Sequence, residues 1–226
     1  MNYTLDELKY DYAIITGAPG SGKSTTIGFI KEFIPETVEL SIVDLPKLFL
    51  EDYVDFQIYD KDLVRKLIYD LKKRLEEFDN ICTKAVIEDI NYYTSTGKFP
   101  VVNIRTKNDI NRVYERMKNE YNKIGCLIIV RDKTAESKCL KDPSTPDDLE
   151  ACGADHYNLP IKTFYINNDS TLIKLNEAVE KTVVGLTKNN TAIIELPDNE
   201  NKRLEELEKK VDSILKLIEN KYKQGE

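Results

Sequence analysis

Gly17, Gly22, Lys23 and Ser24 stand at the spacing Gly-x-x-x-x-Gly-Lys-Ser, within the run Gly17-Ala18-Pro19-Gly20-Ser21-Gly22-Lys23-Ser24-Thr25. Glycines at such places let successive backbone N–H groups turn inward around an anion with no Cβ in the way. A helix opening directly after them adds its free N–H groups and the positive end of its dipole. A lysine there reaches the β- and γ-phosphates of a nucleoside triphosphate, and the next hydroxyl ligates Mg²⁺. The spacing therefore predicts a site for ATP built from Gly17, Gly20, Ser21, Gly22, Lys23, Ser24 and Thr25, with Ser24 on the metal side. The bland alternative is a glycine-rich turn with no ligand. A strand before the motif and a helix after it favour the phosphate site.

Further charges fall where a sheet would aim them. Ligands of an open α/β sheet sit beyond the carboxyl ends of the strands. The chain has seven arginines; Arg105 ends the apolar run Val101–Ile104 and Arg131 ends Cys126–Val130. Asp44 closes a strand expected over Val38–Val43. Two guanidinium groups at one edge suit a reaction that clamps negative charge between a donor and an acceptor. Other phosphate-loop chemistries lack their parts. No apolar strand ends in Asp-Glu, as a motor ATPase requires. Asn122-Lys123-Ile124-Gly125 lacks the aspartate of a guanine-reading motif and precedes its strand.

The elements that must position these residues alternate. Tyr12–Thr16 reads as a buried strand, and Ile27, Ile30 and Ile34 continue a helix that Pro35 stops. Leu63, Leu67, Leu71 and Leu75 predict an amphipathic helix over 61–78, and further helices are expected over 82–93 and 108–121. Residues 131–155 show no apolar period and contain Pro143, Pro146 and Gly153, which reads as a functional lid or a disordered insertion. Lys162–Ile166 is the last clear strand, and Asn168-Asp169-Ser170 is expected to cap the helix carrying Leu172, Leu175, Val179 and Val183. Strands alternating with helices predict a mostly parallel α/β sheet covered on both faces.

That domain is expected to span 1–187, followed by a linker over 188–198 with a short strand at Ala192–Ile194. A helix over 199–223 follows, with Leu204, Leu207, Val211, Ile214 and Ile218 stepping by three and four residues. The seam is that of a coiled coil and predicts a homo-oligomer. A lone amphipathic helix folding back on the domain is the alternative.

The totals narrow the class. A chain of 226 residues with 41% hydrophobic and 32% charged residues suits a normal core with a polar tail. A net charge of −7 argues against broad adhesion to nucleic acid or anionic lipid, though a local basic cleft fits inside an acidic protein. No secretion signal or membrane span is expected. Cys82, Cys126, Cys139 and Cys152 form no Cys-x-x-Cys pair, and His156 is the single histidine. This supplies no zinc set and reads as reduced thiols in a cytoplasmic protein.

Taken in order, these parts resemble the P-loop nucleoside-monophosphate kinases, in particular the phage-type deoxynucleoside-monophosphate kinase and dephospho-CoA kinase-like group. The likeness runs over about residues 10–187, through Gly17–Thr25, Ser41–Asp44, Asp62–Lys72, Val102–Arg105, Leu127–Arg131 and Tyr165–Leu172. It implies a five-stranded parallel sheet, a helical acceptor region between the second and third strands, and a lid after the fourth. It also implies that Asp44 and Arg65 face a nucleotide-sized acceptor, Arg105 holds its phosphate, Arg131 touches the transferring group, and Asn167 and Asn168 lie near the adenine.

Two departures stand out. Lys133, Lys138 and Lys141 occupy the lid where many such kinases carry arginines, leaving Arg112 and Arg116 as substitutes. The heptad tail is the second. The reading is thus a kinase of (deoxy)nucleoside monophosphates. Its alternatives are a kinase of an alcohol, either dephospho-CoA or a hydroxymethylated base in DNA, and a nucleotide-sensing scaffold. His156 is read as structural, since a phosphate acceptor needs no general base; for an alcohol, Asp44 is the better base.

Overall fold

Segments of five to seven residues, built around apolar runs or alternations, become five parallel strands in the computed structural model, which describes residues 2–51, 53–56, 58–153 and 159–188. These are β1 (Tyr12–Thr16), β2 (Thr37–Ser41), β3 (Phe99–Asn103), β4 (Gly125–Arg131) and β5 (Lys162–Asn167), in the order β2-β3-β1-β4-β5. His156, the stretch 192–194 and the 199–223 seam lie outside the described residues. The described part belongs to one unit that ends at residue 190.

Every residue of β1 is buried, because the sheet is covered on both sides. Strand side chains alternate between faces, so two cores form. Tyr12, Ile14, Val102, Leu127 and Ile129 meet α4 (Ile81–Ser95) and α5 (Lys107–Tyr121) through Val86, Ile87, Ile90, Val113 and Met117. Ala13, Ile15, Val101, Ile128 and Val130 meet α1 (Lys23–Phe33) and α8 (Leu172–Leu186) through Ile27, Ile30, Val179 and Val183. The result is a three-layer α/β/α fold. Its chain runs from β1 to β2 in one direction and from β3 to β4 in the other, which opens a crevice beyond the carboxyl end of β1.

Local departures from the sequence pattern have physical reasons. Asp44 does not close β2; it starts a short helix, α2 (Asp44–Glu51), and its carboxylate accepts from the Ser41 N–H at 2.6 Å. The four-residue leucine spacing does produce a helix, α3 (Lys61–Asp79), yet Leu63 and Leu67 stay exposed while Val64 and Lys72 are buried. Four residues overshoot a 3.6-residue turn by about 40°, so the stripe winds off the buried face. Residues 131–155 are not wholly irregular. They carry α6 (Lys133–Lys141) and α7 (Pro146–Cys152), whose first turns are capped by the side chains of Asp132 and Thr145. The cap of α8 is Thr171, one residue beyond the expected group. Among the described helices none is long and apolar enough to cross a membrane.

Candidate functional site

The loop between β1 and α1 turns through positive φ at Gly17 (139°), Gly20 (81°) and Gly22 (94°). A Cβ on Gly17 would lie 2.2 Å from the Val130 carbonyl oxygen, and one on Gly22 would lie 2.4 Å from the Asn168 amide nitrogen. Only glycine allows this course. The helix that follows has Gly22 as its N-cap and no side-chain cap bond, whereas Asp60, Thr106 and Thr171 cap α3, α5 and α8. Gly22 has no side chain with which to cap α1, which leaves the anion-favouring end of the helix to the loop.

Lys23 is buried, and its ammonium donates to the Gly17 and Ala18 carbonyls at 2.7 and 2.8 Å. Burial holds its pKa down at about 8, and the charge of Arg105 pushes the same way. Asp148 opposes the shift, so Arg105 and Asp148 both lie within electrostatic reach of the lysine. Ser24 and Thr25 are exposed at the start of α1.

Asn168 lies against this loop. Its side-chain amide donates to the Ser21 carbonyl at 2.9 Å, and its backbone N–H donates to the Arg131 carbonyl at 2.7 Å. The residue therefore ties the end of β4 to the phosphate loop. Asn167 ends β5, exposed and in register with Arg131. The Arg131 guanidinium stacks over the Tyr165 ring at 4.3 Å from its centroid. Arg131 and Tyr165 thus meet on the α4–α5 face of the sheet.

Beyond β2 and β3 lies a cavity of about 230 Å³ whose lining includes Arg65, Tyr69, Lys72, Arg105, Thr145 and Asp147. Arg105 forms an ion pair with Asp148, which is buried on α7. Lys72, itself buried, is held between Asp109 at 2.8 Å and Asp147 at 2.7 Å. A second hollow of about 420 Å³ separates the loop tip, Pro19 and Gly20, from α6, and Arg65 lines it as well. Arg65 is the residue common to the two linings, and it pairs with Asp62 at 3.2 Å.

Asp44 lines neither cavity, although its partners Ser41 and Lys47 line the first. It pairs with Lys47 at 3.3 Å and lines a different hollow with Glu88 and Asp89. Arg112 and Arg116 do not reach α6 or α7 through any ion pair described. Arg112 pairs with Glu76 at 3.1 Å, and Arg116 grips Glu120 on its own helix at 2.8 and 3.0 Å. Sequence reasoning missed Lys72, Asp147 and Asp148. The signal for the last two was Thr145-Pro146-Asp147-Asp148, a capping threonine with proline at the first helical position.

No family model matches the chain, and no curated protein matches it. Among solved structures it is similar to a dephospho-CoA kinase from Campylobacter jejuni, at 15% identity over 79% of this chain and 98% of that one, with a TM-score of 0.44. It is also similar to the tunicamycin resistance protein of Deinococcus radiodurans, at 13% identity over 78% and 96%, with a TM-score of 0.49. A gluconokinase from Sinorhizobium meliloti 1021 gives 12% identity over 79% and 94%, with a TM-score of 0.45.

Proposed function

We propose that this chain is a Mg·ATP-dependent phosphotransferase whose acceptor is a (deoxy)nucleoside monophosphate. The observation that carries the reading is the junction at Arg65, where a cavity lined by Arg105 and a hollow against the phosphate loop share one arginine. A donor and an acceptor held in those two spaces would meet across a cationic boundary. The loop N–H groups and Lys23 fit a triphosphate, and the exposed Ser24 hydroxyl fits its Mg²⁺, which supplies charge neutralisation when bound. Arg105 takes the acceptor's phosphate, and Arg65 faces the transferring group. Arg131 ends β4, the strand beside β1, and its guanidinium is stacked over Tyr165. Asp44 has no part in transfer to a phosphate, whose oxygen is already anionic. Catalysis is then positioning together with electrostatic stabilisation.

The test is incubation with Mg·ATP and a panel of monophosphates, dephospho-CoA, and DNA bearing hydroxymethylated bases, following ADP formation. Turnover with a monophosphate is expected, and Lys23→Ala abolishes it while the circular dichroism spectrum stays native. ATP binding without turnover on any acceptor leaves the sensor or scaffold reading in its place.

A further inference from the structure

Asp148 is 1% exposed, yet its carboxylate is committed to Arg105, the cation that the proposed function assigns to the acceptor's phosphate. The helix that carries it is short and held largely by charge. On α7, Asp147 pairs with Lys72 at 2.7 Å, and Glu150 accepts from the Lys107 N–H at 2.6 Å at the start of α5. The buried residues of α7 are Asp148 and Ala151, so its apolar anchor is small. An element with little buried apolar area belongs to the less stable part of a fold, and an anion competing for Arg105 removes one of its attachments.

We infer that Asp148 is a specificity-determining residue: an internal carboxylate that occupies Arg105 until a phosphate displaces it, so that the cavity selects dianionic phosphates over carboxylates and neutral alcohols. This rests on the reading of the cavity as the acceptor site. The selection follows from the exchange itself. A monoanionic carboxylate replacing Asp148 gains nothing that Asp148 did not already supply. A dianionic phosphate brings a second charge and offers the arginine fork two parallel bonds. A neutral alcohol accepts one bond but brings no charge, and so does not displace the carboxylate.

The cations around the cavity keep partners when α7 lets go. Lys72 retains Asp109 at 2.8 Å once Asp147 leaves, so no buried ammonium is stranded. Arg105 has 34% of its side chain exposed, so solvent reaches it when Asp148 leaves. The closed arrangement also reduces the apparent affinity for every acceptor, because only the fraction of molecules with Arg105 released is competent to bind.

The experiment uses the full chain and inorganic phosphate, with acetate as the carboxylate probe, in calorimetric titrations. Asp148→Asn is expected to bind phosphate about tenfold more tightly than the parent, equivalent to about 1.4 kcal/mol. Acetate binding, negligible in the parent, becomes measurable in the variant. Phosphate also meets the loop at Lys23, so the arm that identifies the site is the double variant Arg105→Ala/Asp148→Asn, in which the gain disappears. A folded Asp148→Asn protein with unchanged or weaker phosphate affinity overturns the inference, as does a gain that survives loss of Arg105. Hydrogen exchange on the parent protein covers the case of a variant that does not fold. Saturating phosphate should speed exchange over 146–152; unchanged or slower exchange there overturns the inference too. None of these readouts needs ATP turnover, so a chain that transfers no phosphoryl group refutes the proposed function and leaves this test standing.

Discussion

Lys23 is charged in the unfolded chain up to its ordinary pKa of 10.5, but in the folded protein burial brings that value to about 8. Between these values the unfolded chain holds a proton that the folded one has released, so this group's contribution to stability rises with pH. From about pH 7.5 to about pH 9.5 the rise amounts to about 2 kcal/mol. Urea denaturation at both pH values should show it in the parent and lack it in Lys23→Met. An equal pH dependence in both proteins would mean that the lysine is not buried in this way. Asn168 gives a second prediction at this scale. Removing its bond to the Ser21 carbonyl in Asn168→Ala costs about 1 kcal/mol and weakens ATP binding several-fold, measured by titration. The glycines and Lys23 were legible because a phosphate loop is a contiguous pattern. Asn168 as a tie to that loop was not, since its partner stands 147 residues earlier in the chain.

Elements were legible where apolar spacing made them. The five strands emerge from runs such as Ile14-Ile15 and Leu127-Ile128-Ile129-Val130 because both faces of the sheet are covered. α6 and α7 were not legible from apolar spacing, because side-chain caps start both and ion pairs from Asp147 and Asp148 hold α7. Their anchors therefore carry testable weight. Thr145→Ala removes the hydroxyl that accepts from the Asp148 N–H at 3.2 Å and should cost about 1 kcal/mol, read as faster hydrogen exchange confined to 146–152. Lys72→Met leaves Asp109 and Asp147 facing each other without their cation. It should destabilise the protein by about 3–5 kcal/mol in urea denaturation, far more than loss of the exposed pair Lys73–Glu77. Similar losses from the two changes would show that the buried network contributes no more than a surface pair.

For the whole molecule, the strand order β2-β3-β1-β4-β5 brings the phosphate loop, Arg105 and Arg131 to the carboxyl ends of three neighbouring strands, although they are far apart in sequence. Alternation of elements predicted a parallel sheet; the resemblance added the positions of the acceptor helices and the lid. Neither revealed that α7 would bring carboxylates to Arg105 and Lys72. The heptad pattern at 204–218 predicts that the full chain self-associates, while a chain ending at residue 190 is a monomer with an unchanged melting midpoint. Light scattering on both proteins checks this, and equal masses would contradict it. Transfer itself is followed with ATP labelled at the γ-phosphate, mixed with Mg²⁺ and a nucleoside monophosphate. The label should move to the acceptor in the parent, and not in Lys23→Ala; Arg105→Ala should raise the acceptor KM at least about tenfold, with the KM for ATP little changed. Tight ATP binding with no label on any acceptor would contradict the proposed transfer.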